Sequence, residues 1–451
     1  MAAFFTHFLF QNFFNKIKAT MKKFSFLLFI LTLPAFSIFP QNSKPIDSTS
    51  QNLESNESKS KLFRFKYKSG DSYRILSTVN EDVKVNGIKN HSAQIVNRVS
   101  VKITDVDKNG RGKHGATFMT TESSVQEGTQ QTLHFGEEYE SQFWRDTKGV
   151  YEITDEYFMP VVRDVPLFSE NPVKPGEEWT AQGHEAHDLR KTFEMETPFK
   201  VPFTAKYTYL RDEKGVSSDT AKSEKIFQVI SCRYNLFFES PIPSDLSKIT
   251  TDFPVTTMGY SNQTIYWDNE KGQIDHYTED FRIVLETYLG DTYDFTGTAH
   301  AEVTEFERTA TQEKVREVQQ KIEELKIEDV KVEQDDKGLK LSLENLQFKP
   351  NSTELAENEQ EKLEKIAQIV SAFHNDLLIS GHTAKVGTPE SCQILSEKRA
   401  DSVARFLIER GIRDKYHIFT QGFGARIPVA TNDTIEGRSR NRRVEITILD
   451  E

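Results

Sequence analysis

The residues best suited to binding chemistry lie near the C-terminal end of this 451-residue chain. Arg399 stands in the run Leu395-Ser396-Glu397-Lys398-Arg399-Ala400, and a guanidinium can hold a carboxylate through two parallel hydrogen bonds. Gly381-His382-Thr383-Ala384 precedes this run and Arg438 follows it. An arginine on a helix is more often solvated or paired with a nearby acid, and that alternative stays open for Arg399.

Only one cluster in the chain combines several metal-competent side chains, His184-Glu185-Ala186-His187-Asp188. Zinc proteases place two histidines four residues apart on a helix, whereas this cluster has a shorter spacing in a context typical of a loop. No nucleophile motif or phosphate-binding loop accompanies it. We therefore predict a solvated loop here, with no metal, no cofactor and no enzymatic activity.

The segment from Arg438 to Arg443 is rich in arginine, a composition that can indicate affinity for nucleic acid. The chain as a whole is acidic, with a formal net charge of -12, and no aromatic platform accompanies the cluster. Nucleic acid is therefore not an expected partner.

Three segments together resemble the OmpA-like peptidoglycan-binding family: 379–387, 395–400 and 437–445. That family reads G-H-T-D, then L-S-x-x-R-A, then G-R-x-x-N-R-R-V-E. The resemblance implies that Arg399 holds the carboxylate of a diaminopimelate side chain, while the family's aspartate holds its ammonium group. Ala384 occupies the aspartate position, and losing one member of such a charge pair costs about 2–5 kcal/mol. Cys392 likewise replaces a family asparagine.

The resemblance implies a set of site residues around Arg399. Thr383, Asn351 and the backbone amides from Gly381 to Gly387 are expected to assist in binding. Glu390 is expected in the same loop as Ala384, where it could replace the missing carboxylate. The full set of predicted site residues is Arg399, Thr383, Ala384, Asn351, Gly381, Glu390 and Arg438.

The elements that must position these residues are visible as hydrophobic patterns. Leu339, Leu341 and Leu343 alternate as in a strand, and a helical period follows from Leu355. A second amphipathic helix is predicted from Leu395 to Arg410. Residues 328–451 are thus expected to form an α/β sandwich, with helices on one face of a sheet. A connecting helix is predicted over 308–327, packed on one domain or forming a weak dimer contact.

The N-terminal segment has the pattern of an exported protein. Residues 1–40 combine a basic start, an apolar stretch and small residues at a cleavage site, with Met21 as the expected start. Polar residues 41–61 predict a flexible linker. Two cysteines, Cys232 and Cys392, are too few for a disulfide framework and are expected to be small buried residues. The expected location is the periplasm or cell envelope, with outer-membrane association.

Residues 62–307 are predicted to be β-rich. Ile95, Val99, Val101 and Ile103 alternate with polar residues, and a turn at 107–110 follows. A sandwich or a curved half-barrel fits this pattern, with a division into two subdomains near 172–183 as an open alternative. A third hypothesis places the sheet in a membrane, although charges interrupt both faces of many strands.

Two hypotheses for the whole protein follow. In the first, a non-enzymatic structural protein docks to a peptidoglycan stem peptide or to an envelope partner through the OmpA-like pocket. In the second, Ala384 has abolished wall binding, the C-terminal domain is a protein-interaction scaffold, and the β-rich region binds a lipid or a protein.

Overall fold

The computed structural model describes residues 60–126, 132–135, 138–218, 223–242, 252–305, 311–335, 337–344 and 357–450. The predicted signal peptide, nearly all of the predicted linker and the predicted site residue Asn351 lie outside these residues. None of the helices among the described residues is both long enough and apolar enough to cross a membrane.

The N-terminal part is one antiparallel sheet, built from strands whose inward positions are apolar. Ile95, Val99 and Val101 are buried on the inner face, which confirms the alternation seen in the sequence. The sheet order is β6-β5-β3-β2-β1-β13-β12-β11-β10-β9-β8-β7, with β4 paired to β3. The strands are β1 (Ser72–Val85), β2 (Ile88–Val106), β3 (Gly112–Gln126), β4 (Thr132–Phe135), β5 (Tyr139–Arg145), β6 (Tyr151–Glu152), β7 (Val162–Arg163), β8 (Glu178–His187), β9 (Phe199–Val216), β10 (Glu224–Glu239), β11 (Pro254–Asp268), β12 (Gln273–Thr287) and β13 (Thr292–Glu305).

This sheet curls until its two edges nearly meet. The backbone N–H of Tyr151 in β6 donates to the carboxylate of Asp164, directly after β7, at 2.8 Å. One hydrophobic core fills the interior and draws on strands from both ends of the sheet. The structure is therefore neither a sandwich nor a pair of subdomains, and the curved half-barrel was the better of the two predictions. A short helix α1 (Arg190–Phe193) lies between β8 and β9.

An extended segment before β1 is hydrogen-bonded to the connections between several strands of the sheet. Lys61 pairs with Val173, and the amide of Phe65 donates to the carbonyl of Thr147 at 2.7 Å. Phe63 and Phe65 are buried in the core. Lys61, which the sequence assigned to the linker, thus belongs to the folded domain. We call residues 61–68 the N-terminal strap.

The predicted metal-competent cluster does not lie in a loop. His184 to His187 are part of β8, so alternate side chains point to opposite sides of the sheet. His187 Nε2 lies 2.9 Å from Glu185 Oε2, whereas His184 lies 3.5 Å from Asp164. Among the described residues, no three His, Cys, Asp or Glu side chains form a group that could hold a metal ion.

The C-terminal part is a smaller mixed sheet with helices on one face. Its strand order is β14-β15-β18-β16-β17, and only the β16–β17 pair is parallel. Helix residues Leu363, Ile366, Val403 and Leu407 are buried against the sheet, as the sequence predicted. The elements are α2 (Gln312–Glu324), β14 (Val330–Gln334), β15 (Gly338–Glu344), α3 (Glu357–Val370), β16 (Leu377–Gly381), α4 (Pro389–Glu409), β17 (Ile418–Gly422), α5 (Ile435–Asn441) and β18 (Arg443–Leu449).

One helix boundary differs from the sequence-based expectation. Helix α4 begins at Pro389 and not at Leu395, because Thr388 caps it by accepting a hydrogen bond from the amide of Ser391 at 3.2 Å. Helix α2 packs through Val315, Val318 and Ile322 into the C-terminal core. The connecting helix is therefore part of the C-terminal unit.

The helix-free face of the small sheet packs on the outer face of the large one. Asp376, directly before β16, accepts hydrogen bonds from Arg98 in β2 at 2.9 Å and from Arg74 in β1 at 3.1 Å. The side chains of Arg98 and Asp376 are almost completely buried, at 2% and 1% exposure. Apolar contacts surround this ion cluster, between Val96 and Met119 of the large sheet and Leu378, Phe419 and Leu449 of the small one.

Candidate functional site

The predicted site begins where β16 ends beneath helix α4. At Gly381 a Cβ atom would lie 2.0 Å from the carbonyl oxygen of Ser396, so only glycine allows this approach of helix and strand. The Ser396 hydroxyl accepts a hydrogen bond from the amide of Gly424 at 2.8 Å. The glycine before the histidine and the serine of the L-S-x-x-R-A pattern are thus two sides of one contact.

We expect Gly381→Ala to destabilise the C-terminal domain by about 1–3 kcal/mol, because the added methyl group meets backbone and not a movable side chain. Urea unfolding followed by circular dichroism measures the change. Gly115→Ala in β3 is the matched control, since its Cβ would meet nothing closer than 3.8 Å. Equal stability of the two variants would contradict the close contact.

Beyond Gly381 the chain enters a short loop that is fixed to helix α4. The Ala384 carbonyl accepts a hydrogen bond from the amide of Val386 at 2.9 Å. The thiol of Cys392 points at the carbonyls of Val386, at 3.3 Å, and Ala384, at 3.7 Å. Cys392 is buried and free, as predicted. Ala384 is only 4% exposed, so the position is enclosed and supplies no side-chain acceptor.

A second set of contacts ties the same loop to helix α5. Asn432 accepts a hydrogen bond from the amide of Lys385 at 2.9 Å, and its carbonyl accepts one from Arg438 at 2.8 Å. The amide group of Asn441 donates to Asn432 at 3.1 Å. Arg438, a predicted ligand-binding residue, therefore binds backbone carbonyls in this structure and positions the loop around Ala384.

Beside the loop, His382 lies in a buried polar cluster. Its ring stacks on Phe423 at 5.1 Å, and its Nε2 lies 3.5 Å from Glu445, which Arg443 also contacts at 2.7 Å. Burial lowers the pKa of His382, and Arg443 acts in the same direction. Burial alone would raise the pKa of Glu445, but His382 and Arg443 bring it down to about 2. At neutral pH this cluster therefore holds an ionised glutamate and a neutral histidine.

Arg399 lies one turn beyond Ser396 on α4 and is half-buried. Burial and the nearby guanidinium of Arg442 both lower the pKa of Arg399. Two guanidinium groups close together form a positive surface that an anion would stabilise.

The other predicted residues occupy different environments. Thr383 is buried, and its hydroxyl oxygen has no hydrogen-bond partner among the described residues. Glu390 is exposed in the first turn of helix α4 and not in the loop with Ala384. The sequence did not reveal Asn432, which connects the two halves of the site, although Asn441 was part of the recognised pattern.

Comparisons with known proteins agree with this architecture. Residues 347–442 match the OmpA family, and the C-terminal part of the chain carries an OmpA family domain. Outer membrane protein A of Bordetella avium is 44% identical over 88 residues, which cover 19% of this chain and 45% of that protein. The probable lipoprotein YiaD of Escherichia coli is 37% identical over 105 residues, which cover 23% of this chain and 48% of that protein.

Two further similarities extend this set. The peptidoglycan-binding protein ArfA of Mycobacterium tuberculosis is 44% identical over 70 residues, which cover 16% of this chain and 21% of that protein. The structure of the cell wall anchor of the T6SS from Pseudomonas aeruginosa has 29% identity and a TM-score of 0.26, over 29% of this chain and 96% of that chain. The matches span less than half the length of each of the three curated relatives, and none of the three is named as an enzyme.

Proposed function

We propose that the protein is a non-enzymatic component of the cell envelope whose C-terminal domain docks to peptidoglycan or to an envelope partner. The observation that carries the proposal is the environment of Arg399. This residue lies on the helix that covers Gly381 and is half-buried near the guanidinium of Arg442. In this proposal the Arg399 guanidinium binds a carboxylate of the stem peptide, because its planar fork matches the two carboxylate oxygens. The export pattern of residues 1–40 and the envelope names of the relatives support a periplasmic location.

The loop beside this pocket is held in place on two sides, which supports a binding role for the pocket. The loop from Thr383 to Thr388 is held by Cys392 on one side and by Asn432 on the other. Thr383, the first residue of this loop, adds a buried hydroxyl. Residues held in this way lose little conformational entropy when a ligand binds, which favours affinity.

A second candidate function is favoured by position 384. Ala384 is enclosed, carries no acceptor and is followed by the cationic Lys385. An ammonium group placed there would lose its water without gaining a charged partner. In this version the domain has lost the wall and binds a protein whose acidic group reaches Arg399.

A sacculus pull-down distinguishes the two functions. The protein is used with both domains, because separating them would expose the buried pair of Arg98 and Asp376. We expect wild type to bind its native wall and Arg399→Ala to bind at least about 30-fold more weakly, since truncating one partner of such a charge pair costs ~2–5 kcal/mol. Arg405→Ala is the matched control, because Arg405 is exposed on the same helix.

The variant Ala384→Asp tests the missing carboxylate on wall that contains diaminopimelate. If wild type fails to bind either wall and Ala384→Asp gains the diaminopimelate wall, the scaffold function is supported and wall docking is rejected. If Arg399→Ala and Arg405→Ala bind the native wall equally well, the proposed role of Arg399 is wrong.

A further inference from the structure

A small cavity lies in the N-terminal domain, far in sequence from the pocket described above. It has a volume of about 80 Å³ and lies between the N-terminal strap and the inner face of the sheet. Aromatic and aliphatic side chains form much of its wall, Arg145 is the one buried cation in it, and the exposed residues Lys66, Lys68 and Asp71 also line it. The residues used below that line it are Phe65, Tyr67, Tyr73, Ile75, Arg145 and Val303.

Arg145 is the unusual member of this wall. It is 5% exposed, and among the described residues no carboxylate lies within ion-pair distance of it, although the charge of Asp164 acts on it from farther away. Its Nε donates to the carbonyl of Gly149 at 3.3 Å and one terminal nitrogen to that of Val165 at 3.2 Å. A guanidinium carries five N–H donors, so these bonds use only part of its capacity. Burying a cation without an anion is costly, and a bound anion would remove that cost.

Two aromatic rings lie close to the guanidinium. It lies 3.9 Å from the ring centre of Phe65 and 4.7 Å from that of Tyr151. Tyr67 and Tyr73, which line the same cavity, also lie close enough to interact electrostatically with Arg145. Burial raises the pKa of all three tyrosine hydroxyls, which therefore remain protonated. The Tyr67 hydroxyl already donates to the carbonyl of Asp146 at 3.3 Å, whereas the hydroxyls of Tyr73 and Tyr151 are further potential donors to an anion.

We propose that this cavity binds a small organic carboxylate, with its carboxylate group on Arg145 and its short apolar body against Ile75 and Val303. The planar carboxylate matches the guanidinium fork of Arg145. The aliphatic wall favours an apolar body over further polar groups. The cavity is in the N-terminal domain, so this site is independent of wall docking.

Isothermal titration calorimetry tests the proposal with the protein containing both domains. The probes are straight-chain monocarboxylates from acetate to hexanoate, the primary alcohols of the same lengths, and inorganic phosphate. We expect the best carboxylate to bind at least about tenfold more tightly than its matching alcohol or phosphate, a difference of about 1.4 kcal/mol. Equal binding of acid and alcohol, tighter binding of phosphate, or no binding of any carboxylate overturns the proposal.

Two variants separate a binding role from a structural one. Arg145→Met retains a long apolar side chain, and it should abolish the preference for acid over alcohol. Because Arg145 also holds two carbonyls, Val303→Leu provides a second test that leaves the guanidinium in place and fills the cavity. The matched control is Val101→Leu, at a buried inner-face position that does not line the cavity. If the Val303→Leu variant binds the carboxylate as strongly as the Val101→Leu variant does, this site is also rejected.

Discussion

Replacing Asp376 by alanine is expected to lower the free energy of unfolding by about 3–5 kcal/mol, the usual cost of breaking a buried ion pair from one side. Asp376 accepts hydrogen bonds from Arg98 and Arg74, and the substitution leaves both guanidinium groups without this acceptor. Arg98 is nearly inaccessible to water, so solvent cannot take over the role of the carboxylate. The two domains should then no longer unfold as one cooperative unit.

Urea unfolding measured by two signals detects this loss. All three tryptophans, Trp144, Trp179 and Trp267, lie in the N-terminal domain, whereas circular dichroism reports on both domains. The two transitions should coincide in the wild type and separate in Asp376→Ala. Asp414→Ala is the control, because Asp414 is 58% exposed and its pair with His417 should be worth less than about 1 kcal/mol. Coincident transitions at an unchanged midpoint in Asp376→Ala would reject the proposed coupling.

A double variant tests whether charge or shape matters at this interface. Arg98→Met combined with Asp376→Leu removes the two most deeply buried charges and retains apolar side chains of similar length, while Arg74, at 14% exposure, keeps access to water. Replacing a buried ion pair by apolar groups is often neutral or stabilising. We therefore expect the double variant to recover most of the stability lost in Asp376→Ala.

Replacing Glu81 by glutamine is expected to stabilise the N-terminal domain by about 2 kcal/mol or more at pH 7, as a buried carboxyl group penalises folding. Glu81 in β1 is 3% exposed, and neither carboxylate oxygen has a hydrogen-bond partner among the described residues. Burial raises the pKa of Glu81 well above its usual range, and the nearby acids Glu122 and Asp82 add to the effect.

The direction of the pH dependence follows from this raised pKa. The folded protein keeps a proton on Glu81 at pH values where the unfolded chain has released it. The contribution of this proton to the free energy of unfolding is fully present below about pH 4.5, the ordinary pKa of glutamate. It is lost as the pH rises through the pKa of Glu81 in the folded protein. The difference between Glu81→Gln and wild type should therefore widen from about pH 4.5 upward.

Thermal unfolding at a series of pH values measures this difference. Glu302→Gln is the matched control, since Glu302 lies on the neighbouring strand β13 with a half-exposed side chain. It removes the same charge without removing a buried group. A difference between Glu81→Gln and wild type that is constant with pH would show that the carboxyl group is not buried as described.

The C-terminal domain was predictable from the sequence because its signals are local. The alternation of Leu339, Leu341 and Leu343 and the apolar period of α3 each report one buried face. Helix α4 was placed too late, although Thr388 followed by Pro389 is a recognised start signal. That start places Glu390 on the helix, and the prediction that it shares the loop with Ala384 was therefore wrong.

The closure of the N-terminal sheet could not be predicted in the same way. Strand β1 pairs with β13 across more than two hundred residues, for example Val79 with Ala299, and no local pattern specifies that partner. The same limit applies to Arg98, which alternates with apolar neighbours like a solvated residue. Its burial depends on a second domain that covers it. In the candidate site, Asn432 lies outside the recognised pattern, and only the folded structure shows its bond to Lys385.

The packing of the two sheets also restricts how this chain can be recombined. Arg74 and Arg98 are contributed by one half of the sequence, and Asp376 by the other. A chimera that joins this OmpA family domain to a different N-terminal domain would bury the carboxylate of Asp376 without the guanidinium groups of Arg74 and Arg98. Such a swap must carry compatible residues at all three positions to fold as a unit. The two domains are separate segments of the chain, but the buried charges of each need those of the other. We therefore expect substitutions at these three positions to arise together.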